Sequence, residues 1–481
     1  MEQEIDIITL RPAQCSVDLN DGSERGEYVN QDYILNKLGR PHRAIGLMYC
    51  YYPLDATWPQ RAREAFSDKQ ISFQWDYPYD DYFPYTGGIT GDTKGPVFEQ
   101  MRDIRKHGQD IVLTLSIDPT LPDEYLVGIA KDLKPFGHLQ LRINHETSGN
   151  WFCFTKRVSY SELAQFFVRF HNILKQESPN IETIFCTGGV ENPAINEIEK
   201  EQELCSAVKV TDNFSVDKYL SLHWGWPYDV AEEGGTTFVR YSVQDVYNFA
   251  KRSEKRFREI CNFHQKPMYL SELNADGDVT GPFEQAKMLQ DFCNLIKKDP
   301  EQGWLTGFTL YQFRDRGRLG LEKEDVNNCD VGIEQPILNT YKNIIHDPYF
   351  SPQIDKIWQG PLPIPLEWIS SENATGVGIP VDFQKTPTFC EVSFEEPLNL
   401  MIEFNGKWFY KAPTVNSIDL MPAFYEHPIE RHKKIRLNIF APPTTGENVI
   451  DEQHPNFPWN DVFRTEITKM PQFRIRYSSI V

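Results

Sequence analysis

Two stretches of this 481-residue chain gather reactive side-chain types around a single glutamate. In 141–154 (LRINHETSGNWFCF) an Arg, an Asn, a His, a Trp and two Phe surround Glu146. In 266–274 (KPMYLSELN) Glu272 closes an apolar run. Two carboxyl groups facing each other across a cleft can cleave a glycosidic bond. One, protonated, gives its proton to the leaving oxygen; the other, ionised, attacks or stabilises the oxocarbenium-like centre. Burial and a like charge raise the first, and a neighbouring cation keeps the second ionised. A lone carboxylate at a strand end is commonly a solvated loop residue, and Asp76, Asp118, Glu191 and Asp315 also fall near strand ends. The company that Glu146 keeps sets it apart.

Such a pair needs a scaffold that brings distant segments to one opening. Short apolar runs at 43–50, 70–77, 110–118, 138–146, 181–190, 218–226, 266–274 and 304–313 read as strands, with helix-like segments between them. Regular alternation implies a parallel sheet with right-handed crossovers. Eight units close into a (β/α)8 barrel, whose functional residues sit at the C-terminal strand ends. Glu146 and Glu272 then end strands four and seven. They lie 126 residues apart, three units of 42. No strand is followed by GxGxxG or GxxxxGK[ST], which speaks against a nucleotide-binding open sheet.

After residue 350 the pattern changes. A proline-rich stretch at 360–366 leads into short strand-like runs separated by Pro, Gly and Asn. The expected organisation is a barrel over 41–350 and a β-sandwich accessory domain over 360–481. Residues 1–40 read as a β-like extension, with membership of the sandwich as the alternative. The fold class is α/β, a (β/α)8 TIM barrel with a C-terminal β-sandwich.

Composition narrows the partner. Net charge is −20, which opposes nucleic acid and anionic membranes and leaves neutral sugars unopposed. No apolar stretch approaches the ~18 residues of a membrane span. The first residues are acidic where a signal peptide is basic, and the nine cysteines are scattered without a CxxC pair. Buried free thiols and a cytoplasmic setting are expected. No HExxH or clustered Cys/His set is present, so no metal and no cofactor is expected. No strand ends in a lysine, as a Schiff-base aldolase would require.

The pattern Arg142-x-x-His145-Glu146-x-x-Gly149-x-Trp151-Phe152 resembles the acid/base motif of glycoside hydrolase family 26, and residues 266–272 resemble that family's nucleophile strand. The resemblance spans roughly residues 40–350. It implies a retaining clan A glycosidase with Glu146 as acid/base and Glu272 as nucleophile. It also implies His145 beside the scissile sugar, and β-mannan as the favoured substrate before β-1,3-xylan or mixed-linkage β-glucan. Ser148 and Phe154 stand where the family tends to have Asn and Trp, and strand eight offers Tyr311 and Phe313 rather than a Trp.

Arg142, Asn144, Phe152 and Tyr311 join the candidate oligo- or polysaccharide-binding residues. Trp75, Trp151 and Trp224 near strand ends offer flat faces for pyranose C–H groups, and His223 could hydrogen-bond a hydroxyl. Trp408 is either a glycan contact of the sandwich or a core residue. Two other readings remain: a non-catalytic carbohydrate-binding protein on a glycosidase-like barrel, and a clan A exo-glycosidase acting on other β-glycosides.

Overall fold

The computed structural model describes residues 5–22, 28–55, 83–149, 152–188, 201–223, 238–325, 331–448 and 462–478. The segment expected as a strand at 70–77 lies outside them. β1 is Ile5–Arg11, β2 Ser16–Asn20, β3 Ala44–Tyr51, β4 Asp110–Ile117, β5 Leu139–Ile143, β6 Ile181–Gly188 and β7 Asn213–Asp217. β8 is Ser221–His223, β9 Phe238–Arg240, β10 Met268–Leu273 and β11 Gly307–Leu310. β2 to β7, β10 and β11 close into one barrel in which every pairing is parallel.

Three barrel positions differ from expectation: the first, the sixth, and the second, which is β3, the run expected first. β2 was read as part of an N-terminal extension, yet it is the first barrel strand. The sixth strand is Asn213–Asp217 rather than 218–226. Strand side chains alternate between faces, and in a barrel one face looks inward. In both strands the alternate positions Ser16, Asp18, Asn20 and Asn213, Ser215, Asp217 are polar and buried. A strand with a polar inner row does not read as an apolar run. Residues 221–223 instead pair antiparallel with β9, outside the barrel. Strands three, four, five, seven and eight keep their expected places, so β5 and β10 are the fourth and seventh.

Outside the barrel, the helix Tyr160–Glu177 shows how sequence sets packing. Ser159 and Glu162 form a capping box at its start. Leu163, Phe166, Phe167, Phe170 and Leu174 recur at helical spacing, are buried, and join the main core.

β1 leaves the barrel and pairs antiparallel with Gln353–Gly360 and Asn373–Phe383 in an eight-stranded sheet. A second sheet of three strands has Phe389–Ser393 at its centre. One core draws on both: Ile5, Ile7, Val377, Ile402 and Leu437 from the first, Cys390 and Val392 from the second. Among the described residues this β-rich C-terminal region also holds the short helix Met421–Glu426. It meets the barrel through Trp368, Met401, Trp408 and Phe440, which cluster with Leu35 of the helix Gln31–Leu38. Trp408 is therefore a buried packing residue, stacked on Phe440.

Cys205 and Cys261 form a disulfide that joins the helices Cys205–Val210 and Val243–Cys261. That corrects the expectation of free thiols for this pair; the six other described cysteines are buried and outside this disulfide. Among the described residues no helix is long and apolar enough to cross a membrane.

Candidate active site

Inward positions on β5 alternate as Gln140 and Arg142, and the second reaches the C-terminal mouth of the barrel. Arg142 is the hub of the mouth. Its Nη1 donates to both Asp217 oxygens at 2.9 and 3.1 Å, its Nη2 to Glu272 Oε1 at 2.9 Å, and its Nε to Thr114 Oγ1 at 2.7 Å. The other Glu272 oxygen accepts from the Tyr219 hydroxyl at 2.6 Å. Glu272 is buried at the end of β10, where the register of β10 against β7 and β11 shifts.

Burial opposes the Arg142 charge, but Asp217 and Glu272 outweigh it and hold the guanidinium protonated far above its ordinary range. Burial first, then the Glu272 charge, pushes the Tyr219 phenol well up, so it stays a donor to that carboxylate. Burial also drives Asp217 well above the usual carboxylate range. Arg142 opposes this, while the charges of Glu272 and Glu146 push the same way. One cation thus serves two carboxylates, with the charge of Glu146 felt at Asp217.

Beyond β5 the chain passes through left-handed backbone at Asn144 (φ 53°) and Glu146 (φ 48°). Non-glycine residues rarely adopt that region unless the surroundings impose it. Asn144 is turned away from the mouth: its Oδ1 accepts from Ile117 N at 2.7 Å and its Nδ2 donates to Ile117 O at 3.3 Å. Thr147 donates from both N and Oγ1 to Cys186 O, at 3.0 and 2.7 Å. Ser148 Oγ meets Thr187 Oγ1 at 2.7 Å and accepts from Gly188 N at 3.0 Å. These bonds fix Glu146, half-buried, between β4 and β6.

His145 is buried 4.3 Å from the Phe152 ring centroid. Burial, then the Arg142 charge, lowers it well below ordinary histidine, so it is neutral. Phe152 stacks on Phe154 inside the core. Tyr311 meets Tyr219 edge-on at 5.9 Å and clusters with Met48, Cys50, Tyr52 and Cys153 as an aromatic wall of the mouth. His223 lies on β8, paired through Nδ1 with Asp276. Burial lowers its affinity for a proton, but Asp276 and then Asp278 and Asp315 outweigh this and raise it. Trp75, Trp151 and Trp224 lie outside the described residues. Among those described, no group of three or more His, Cys, Asp or Glu is arranged to hold a metal.

Asp217 and Tyr219 were not singled out in the sequence. A sixth strand at 218–226 puts Asp217 in the preceding loop and Tyr219 in mid-strand, so neither stands at a strand end. The alternation Asn213-Phe214-Ser215-Val216-Asp217 was the available signal, since it puts Asp217 on the inward row at a strand end.

No family model matches the chain, and no curated protein matches it. Among solved structures it is similar to the α-L-arabinofuranosidase of Thermotoga maritima (11% identity, 91% of this chain and 100% of that one, TM-score 0.43). It is similar to the catalytic domain of a family 26 endo-β-1,4-mannanase of Bacillus sp. JAMB-750 (13% identity, 70% and 87%, TM-score 0.44). The modular family 26 endo-β-1,4-mannanase of Cellulomonas fimi is another such structure (11% identity, 89% and 89%, TM-score 0.43).

Proposed function

We propose that the chain is a retaining glycoside hydrolase cleaving β-linked glycans, with Glu272 as nucleophile and Glu146 as acid/base. The observation that carries this is the double hold on Glu272. Arg142 pairs with it at 2.9 Å, and Tyr219 at 2.6 Å aims it, at the mouth that Glu146 also borders. In the first step a Glu272 oxygen attacks the anomeric carbon while Glu146 gives its proton to the departing glycosidic oxygen. In the second, Glu146 takes a proton from water, which attacks the same carbon and releases Glu272. When the Glu272 charge is consumed in the covalent intermediate, one of the pushes that raise Asp217 is lifted, and that carboxyl is left to balance Arg142. The cation is then never left buried alone, a state that is costly. The neutral His145 and the aromatic wall around Tyr311 supply hydrogen-bonding and apolar surface to a sugar.

Within that class β-mannan is the favoured substrate, on the resemblance of the segment 142–152 to the family 26 motif. We take the chain as one catalytic barrel closed by its sandwich. The test is reducing-sugar release from mannan, glucomannan, mixed-linkage glucan and both xylans, with Glu272→Ala as control. Release by the native protein and none by the variant supports the hydrolase and names its substrate. Release by neither contradicts it and favours a binding protein.

A further inference from the structure

The segment that bears Glu146 starts at Asn144 and ends in the one-turn helix Cys153–Arg157. Two adjacent residues at the end of β4 grip both of its ends. Ile117 exchanges two hydrogen bonds with the Asn144 amide, at 2.7 and 3.3 Å. Asp118, the next residue, takes Arg157 Nη1. The other Asp118 oxygen accepts from Thr120 N and Oγ1 at 2.9 and 2.7 Å, which fixes that carboxylate in place. Arg157 uses the rest of its fork as well. Nη2 donates to Asp55 Oδ2 at 2.9 Å, Nε contacts Cys153 Sγ at 3.3 Å, and the guanidinium lies over the Tyr52 ring, 4.7 Å from its centroid. One side chain thus ties the loops after β3 and β4 to the segment after β5.

We propose that Arg157 is a positioning residue for Glu146, holding the far end of its segment so that the carboxyl meets the leaving oxygen. Proton transfer requires hydrogen-bond reach, about 2.6–3.2 Å between heavy atoms. A misplacement of about 1 Å costs on the order of 10²-fold. Only a planar fork spans Asp55 and Asp118 together, and lysine has one point charge. The inference rests on the acid/base reading of Glu146.

The test is kcat/KM over a series of aryl glycosides, from dinitrophenyl to unsubstituted phenyl, on the sugar that the native protein cleaves. Arg157→Met, Arg157→Lys and Glu146→Ala are run beside it, with melting temperatures. A misplaced acid harms only poor leaving groups. Arg157→Met is expected to lose on the order of 10²-fold on phenyl and less than about 3-fold on dinitrophenyl glycosides, in the same sense as Glu146→Ala. Arg157→Lys, which keeps one ion pair, should recover part of the loss. It is also the variant to read if Arg157→Met does not fold. Selectivity in Glu146→Ala with uniform losses in both Arg157 variants overturns the positioning role alone. Uniform losses in all three overturn the acid assignment and this inference with it.

Discussion

The two ends of the barrel each bury an arginine among carboxylates, and they differ in how the charges are closed. At the N-terminal end Arg43 pairs with Asp18, its Nε 2.8 Å from Oδ1, and donates to Gln140 at 3.0 Å. Gln140 passes the network to Glu182, which Asn213 also meets. The C-terminal region then seals this end: Ser371 bonds Asp110 through N and Oγ, and Glu372 takes the Ser16 hydroxyl. At the other end Arg142 faces Asp217 and Glu272, with Glu146 near enough to push Asp217 upward. Gln140 and Arg142 are two residues apart on one strand. Ala44, Val112 and Ile184 form a small buried apolar cluster in the barrel. At the N-terminal end further cations share the load, since Arg105 and His138 also meet Asp110, and a sealed cluster of that kind serves stability. A mouth with surplus negative charge around one cation is suited to moving a proton and forming a bond.

The sharpest way to separate the two ends is to remove one member of each. Glu272→Ala should lower kcat by more than about 10³-fold while the melting temperature stays within a few degrees, since Asp217 still pairs Arg142. Arg43→Met should do the reverse. It leaves Asp18 buried without its partner, at a cost of about 3–5 kcal/mol by chemical denaturation at pH 7. Whatever protein stays folded should keep its kcat. The cost should shrink at pH 5, because burial, against the pull of Arg43, already raises Asp18 to about 6, and the neutral acid needs no partner.

Smaller effects probe the seal itself. Gly108 adopts φ +68°, and a Cβ there would stand 2.9 Å from both Met401 Cγ and Trp368 Cη2. Gly108→Ala should cost about 1–3 kcal/mol through strain and overpacking where the C-terminal region meets the barrel, with kcat unchanged. His107 is the finest probe. Burial lowers its proton affinity, yet hydrogen bonds to Asp103 and Asp32 outweigh this and raise it to about 9. A raised histidine contributes stability that is complete below pH 6.5 and lost as pH rises through about 9. Denaturation midpoints should therefore fall across that window in the native protein and fall less in His107→Gln.

Most of the mouth was legible in the sequence because its chemistry sits where apolar strands end. Glu146, Glu272 and Arg142 each follow or finish a run that reads as a strand. What stayed hidden lies on strands whose inward row is polar. β2 and β7 carry Asp18 and Asp217 on that row; in β7 this polarity erased the strand signal, while β2 reads as β-like and only its pairing with β3 and β11 assigns it to the barrel. Asn144 was read as a sugar contact from its place beside Glu146; its amide is spent on Ile117, which only the register of β4 against β5 could reveal. The Cys205–Cys261 bond has no spacing signature, since two helices from different units bring the pair together.

The central claim is that Glu272 attacks the sugar. A 2-deoxy-2-fluoro dinitrophenyl glycoside of the cleaved sugar slows release of the covalent intermediate enough for peptide mapping by mass spectrometry. The account predicts one equivalent of label on Glu272, and none in Glu272→Ala. Label on Asp217 or Glu146, or turnover with inversion and no label at all, would contradict it.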